Sequence, residues 1–168
     1  MIGRKKKLPA TQLAEELMEV VKHAIAFNYN FNRFDLTPTE LKKAREEVIY
    51  LFAFSALEAI REAGHLDEFG KNALSTHFLD ALRRYFQANL KSSYSVFSTR
   101  LTARLSDYGQ LHGEHRSAIL ACRFASLCEA PCKPLFIDLG IMMHVTCFEE
   151  IHHLLTKRSV IVSTGKKL

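Results

Sequence analysis

The segment from Thr37 to Gly64 constrains this chain more than any other. Thr37-Pro38-Thr39-Glu40 has the make-up of a helix start. The Thr hydroxyl can cap a free backbone N–H, Pro at the first helical position has no N–H to leave unpaired, and Glu at the third can reach back to the cap. Leu36 and Leu41 are placed to staple across it. From Val48 to Ile60 only Ser55 and Glu58 interrupt the apolar and aromatic residues. A helix that is apolar nearly all round needs neighbours on every side. The sequence therefore predicts an all-α fold, a single-domain bundle of about six helices around a buried central helix over 38–63, with Gly64 as its stop.

The rest of the chain supplies those neighbours. Leu13, Leu17, Val20, Val21, Ala24 and Phe27 repeat at helical spacing and predict a first helix from Ala10 or Thr11. The Asn-rich, aromatic stretch 28–34 reads as a loop pinned by its rings. Leu74, Phe78, Ala81, Leu82, Tyr85 and Phe86 mark a third helix, with a short separate turn at 66–69 left open by Gly70. Phe97, Leu101, Leu105 and Tyr108 mark a fourth, after a break at Ser92-Ser93. A fifth covers about 114–129, with Ile119, Cys122 and Ser126 on one line and Ala118, Ala121 and Ala125 beside it to allow close packing. Pro131 and Pro134 stiffen the connector to a last helix over 134–157. Ser159 to Ser163 has β-propensity, but a lone strand needs a partner. The expected organisation is a basic flexible tail at 1–9, a helical domain at 10–157 and a C-terminal tail at 158–168.

Charge argues against specific nucleic-acid binding. The net charge is +5, but eight of the 23 basic residues lie at the two ends. The body from Ala10 to Thr156 holds 15 basic against 18 acidic residues. Affinity for phosphates needs basic groups on a shaped surface. The longest apolar run, Val48 to Phe54, is seven residues, whereas a membrane span needs about 20. With no secretory pattern and four cysteines expected to stay reduced, the sequence reads as that of a cytoplasmic protein.

Three groupings can carry chemistry. Glu149 with His152, and Glu150 with His153, each form a Glu-x-x-His pair near the end of the last helix. Helical di-iron carboxylate sites draw two ligands from such a pair. They also need a second pair, and Glu58 and Glu62, which can add a carboxylate, have no His three residues on. His152 and His153 diverge by about 100°, so a polar helix end with favourably placed histidines explains them as well. The second grouping is His112-x-x-His115, Cys122, Cys128-x-x-x-Cys132 and His144-x-x-Cys147, zinc-like in residue type but loose in spacing. Against it, Cys122 and Cys147 read as small buried hydrophobes. A Cys132 thiolate before a helix N-terminus would need a histidine base from elsewhere, because His144 lies about three turns along the same helix. Third, Arg83, Arg84, Lys91, Arg100, Arg104, Arg116 and Arg123 give the 83–123 region a basic groove for an anionic ligand, or else solvated faces. No phosphate-binding glycine loop or nucleophile elbow is present.

No catalytic residue, cofactor or metal set is assigned from these patterns. The expected function is a non-enzymatic helical protein-interaction or regulatory domain, able to self-associate through Met142, Met143, Phe136, Ile141 and Phe148. The alternatives are a metal-binding protein using Glu149–His153 and a binder of a small anionic ligand through Arg83–Arg123.

Overall fold

The computed structural model describes residues 6–26, 31–89, 94–111 and 115–161. In chain order these form β1 (Lys6–Pro9), α1 (Ala10–Ala26), a 3-10 turn (Phe31–Phe34), α2 (Pro38–Glu62), α3 (Glu68–Asn89), α4 (Tyr94–Gly109), α5 (Arg116–Leu127), α6 (Pro134–Thr156) and β2 (Arg158–Ile161). The fold is an all-α, six-helix bundle, as the apolar periodicity predicts.

The capping box forms in full. The Glu40 N–H donates to Thr37 Oγ1, and the Thr37 N–H donates to the Glu40 carboxylate at 2.6 Å. That bond, with a second from Lys133 at 2.9 Å, holds Glu40 down at about 2. Helix α2 is the hub, packing against each of the other five helices. From Val48 to Ile60 every residue but Leu57 is buried. Its end differs from the glycine stop. Ala63 is the cap, its N–H bonding to the Ile60 carbonyl, and Gly64 takes no left-handed backbone.

The predicted stripes of α1 and α3 face inward on Leu13, Leu17 and Val21, and on Leu74, Phe78, Leu82 and Phe86. Phe27 and the Ser92-Ser93 break lie outside the described residues. Asp67 caps α3 by accepting the Gly70 N–H at 2.7 Å, so Gly70 sits inside the first helical turn. The short turn before α3 lies at 64–65, closed by the Leu66 N–H on the Ala63 carbonyl, in place of 66–69. Phe31 and Phe34 do pin their turn to the body, each edge-on to Phe136 at about 6 Å.

Helix α5 is rotated from its expected line. Its buried face is Leu120, Ala121, Phe124 and Ala125, while Ile119, Cys122 and Ser126 are exposed. The neighbouring small-residue line packs as expected at Ala121 and Ala125, both fully buried. They let α6 approach so closely that a Cβ on Gly140 would lie 3.2 Å from that of Ala121.

The chain ends also depart from expectation. Lys6–Pro9 and Arg158–Ile161 form a two-stranded parallel sheet, with Leu8 opposite Val160. The C-terminal strand thus finds its partner in its own chain, and Leu8 is 3% exposed. Parallel strands need a long crossover, and here the whole bundle provides it. Arg158 is tied back to Glu16 of α1 at 3.1 Å. Among the described residues no helix is long and apolar enough to cross a membrane.

Candidate functional site

The Glu-x-x-His pairs at the end of α6 diverge. Glu149 lines a cleft beside Glu58 and Glu62, whereas Glu150 lines a different one beside His23 and Met142. The His152 ring stacks on Phe148, 5.8 Å between centroids, and His153 is exposed. The cysteines are equally scattered. Cys122 and Cys132 are exposed, and Cys128 and Cys147 are buried. Burial pushes both buried thiols far up, so they stay protonated. Exposed Cys122 departs from its expected place in the core. His115 precedes α5 without a side-chain cap bond, and His112 lies outside the described residues. Among the described residues no three His, Cys, Asp or Glu side chains are placed to share a metal ion.

The arginines of 83–123 do not line one groove. Arg83 pairs with Asp80 at 3.1 Å, Arg84 with Glu15 of α1 at 2.6 Å, and Arg123 with Asp107 at 3.1 Å. Arg104 grips both carboxylate oxygens of buried Glu47 at 2.6 to 2.9 Å. Such bidentate bonds use up the fork of donors. Lys91 lies outside the described residues.

A buried polar cluster joins α2, α5 and α6. Glu58 and His144 are each about 5% exposed. The Arg116 guanidinium pairs with Glu58 and lies over the Phe54 ring at 5.7 Å. Arg61 donates to the same Glu58 oxygen at 3.3 Å. His144 Nε2 is 3.5 Å from the other oxygen. Burial, then Arg116, presses His144 down to about 4, while burial raises Glu58. The cluster forms one wall of a cleft of about 270 Å³ with Glu62, Ser117, Phe148 and Glu149. Its sequence signal was visible: a Glu and a Ser inside the apolar run of α2, and a His inside the apolar half of α6.

The larger cleft lies between α2 and α4 and holds about 490 Å³. Pro38, Leu41, Lys42, Arg45, Glu46 and Ile49 come from one face of α2 at three- and four-residue spacing, and Val96, Phe97 and Arg100 come from the start of α4. Tyr50 and Phe97 stack in its floor at 5.9 Å, and Phe86 braces Phe97 from behind at 4.5 Å. Of the described basic residues expected to form a groove, only Arg100 lines this cleft. Lys42 and Arg45, which join it there, fell outside the 83–123 window.

No family model, curated protein or solved structure matches this chain.

Proposed function

We propose that this chain is a non-enzymatic helical binding protein of regulatory type, with the α2–α4 cleft as its ligand site. One observation carries the reading: an aromatic and aliphatic floor of Ile49, Tyr50 and Phe97 lies at the base of an open cleft of about 490 Å³. Small-ligand sites are concave, mostly apolar and about 300–1,000 Å³. The floor is braced by core packing, so it needs no rearrangement to accept an apolar body.

The test is fluorescence titration with phenylnaphthylamine, a neutral apolar dye. Saturable one-to-one binding that Val96→Asp abolishes is the expected result. Val96 is 43% exposed on the cleft wall, so the substitution should leave the fold intact. Absence of saturable binding, or binding indifferent to Val96→Asp, would remove the cleft from consideration.

Self-association is a second reading with its own support. Of the expected surface, Phe136 and Met143 are buried in the core and Met142 is 61% exposed, joined by Leu135 at 70%, seven residues away along α6. A seven-residue step returns to nearly the same face. Two copies of α6 crossing antiparallel would set Leu135 of each against Met142 of the other, the reciprocal contact of a twofold dimer. Sedimentation equilibrium of the wild type and of Leu135→Glu checks it. A wild type that stays monomeric across the concentration series ends it.

A further inference from the structure

We infer that the α2–α4 cleft selects a free, single-chain amphiphile carrying one anionic head, an alkyl carboxylate being the simplest case. The inference rests on the cleft being a ligand site and adds the chemistry of its occupant. Three cations line the mouth. Lys42 and Arg45 are exposed and carry no ion pair among the described residues. Arg100, facing them across the cleft, reaches only Glu46 among the described residues, at 3.7 Å. Every other paired arginine has a carboxylate at 3.3 Å or closer. The mouth therefore holds three cations against the single carboxylate of Glu46.

Of the other described arginines only Arg33, in the 3-10 turn, also lacks a carboxylate partner, so two such cations and the loosely held Arg100 at one mouth make a local excess. An anionic head between Arg45 and Arg100 meets two guanidinium groups suited to carboxylate. Glu46 is half-exposed and can swing outward when the head displaces it. The tail lies inward against Ile49, Tyr50 and Phe97. Each methylene it buries should tighten binding about fourfold until the floor is covered.

A matched pair of dyes separates this inference from the reading beneath it. Anilinonaphthalene sulfonate has the same apolar body as phenylnaphthylamine plus one negative charge. The sulfonate should bind about tenfold more tightly than the neutral dye. Arg45→Gln with Arg100→Gln should erase that gap and leave neutral-dye binding in place. Dodecanoate should displace the sulfonate, and phosphatidylglycerol vesicles should not. Equal affinity for the two dyes, or a sulfonate affinity untouched by the double variant, overturns the anionic assignment while the cleft stands. Displacement by vesicles and not by dodecanoate overturns the free-amphiphile assignment. If neither dye binds, the cleft reading fails first.

Discussion

His144 Nδ1 lies 2.8 Å from the Ser55 hydroxyl oxygen, and this contact orients the imidazole ring. The Ser55 proton is already committed to the Leu51 carbonyl at 2.8 Å. Nε2, on the other side of the ring, faces Glu58 at 3.5 Å. A serine bonded back to its own helix and fully buried is no nucleophile. It works as an orienting post for the ring.

The first prediction follows from that ring. His144 sits at about 4, below its ordinary 6.5. The unfolded chain thus binds a proton at a higher pH than the folded one. His144 adds stability above about pH 6.5, and that stability is lost as pH falls through 6.5 toward 4. The full span is worth about 3 kcal/mol. Raised Glu58 works in the opposite sense, since its contribution is present below its ordinary 4.5 and is lost as pH rises. Urea unfolding of wild type and His144→Gln at several pH values isolates the histidine part. Proton NMR offers a direct check: the His144 ring signal should hold its neutral position at pH 6 and shift only near 4. Titration near 6.5 would contradict the buried placement.

Arg116 is predicted to matter more than any surface arginine. Removing one member of a buried ion pair strands the other, at about 3–5 kcal/mol. Arg116→Ala should cost about 3 kcal/mol, the lower end, because Arg61 still reaches Glu58. The double variant Glu58→Gln with Arg116→Met should recover most of the loss, since no charge is then buried alone. Arg84→Ala, whose pair with Glu15 is exposed on both sides, should cost under about 1 kcal/mol. Equal losses for Arg84→Ala and Arg116→Ala in urea melts would refute the distinction.

What the sequence made legible tracks how local the physics is. The Thr37 cap, the stripe of α3 and the apolar girdle of α2 depend on neighbours three or four residues away, and each reads directly. The rotation of α5 does not. Ala118, Ala121 and Ala125 look alike in sequence, and only Gly140 of α6 decides which of them is touched. The Glu58–Arg116–His144 cluster joins residues from three helices, so its parts were visible as polar intruders while their meeting was not. The α2–α4 cleft has the same character, because Arg45 and Arg100 carry no mark that they share a mouth.

Glu129 holds a backbone conformation that favours glycine. Its φ is 64°. The Ala130 N–H bonds to the Ala125 carbonyl at 2.8 Å, and the Glu129 N–H to that of Ser126 at 2.9 Å. These two bonds close the end of α5 as a Schellman turn, whose left-handed position suits a residue without a Cβ. Glu129→Gly should raise stability by about 1 kcal/mol. The lost pair with Lys43 is part-exposed and subtracts little. A melting temperature that falls in Glu129→Gly would mean the ion pair outweighs the strain.

The pairing of the chain ends makes the sharpest contrast with a flexible-tail reading. A residue in a solvated tail can lose its side chain at no cost. Leu8 instead packs into the core opposite Val160, nearly sealed from water. Leu8→Ala should therefore destabilise the whole bundle by about 2–3 kcal/mol, as for a buried leucine. Lys7→Ala, one residue away on the exposed side, should change stability by less than about 0.5 kcal/mol. Hydrogen exchange gives a second readout, because the amides of 158–161 should lose protection in Leu8→Ala if the two strands hold each other. A neutral Leu8→Ala would mean that β1 adds nothing to the stability of the bundle.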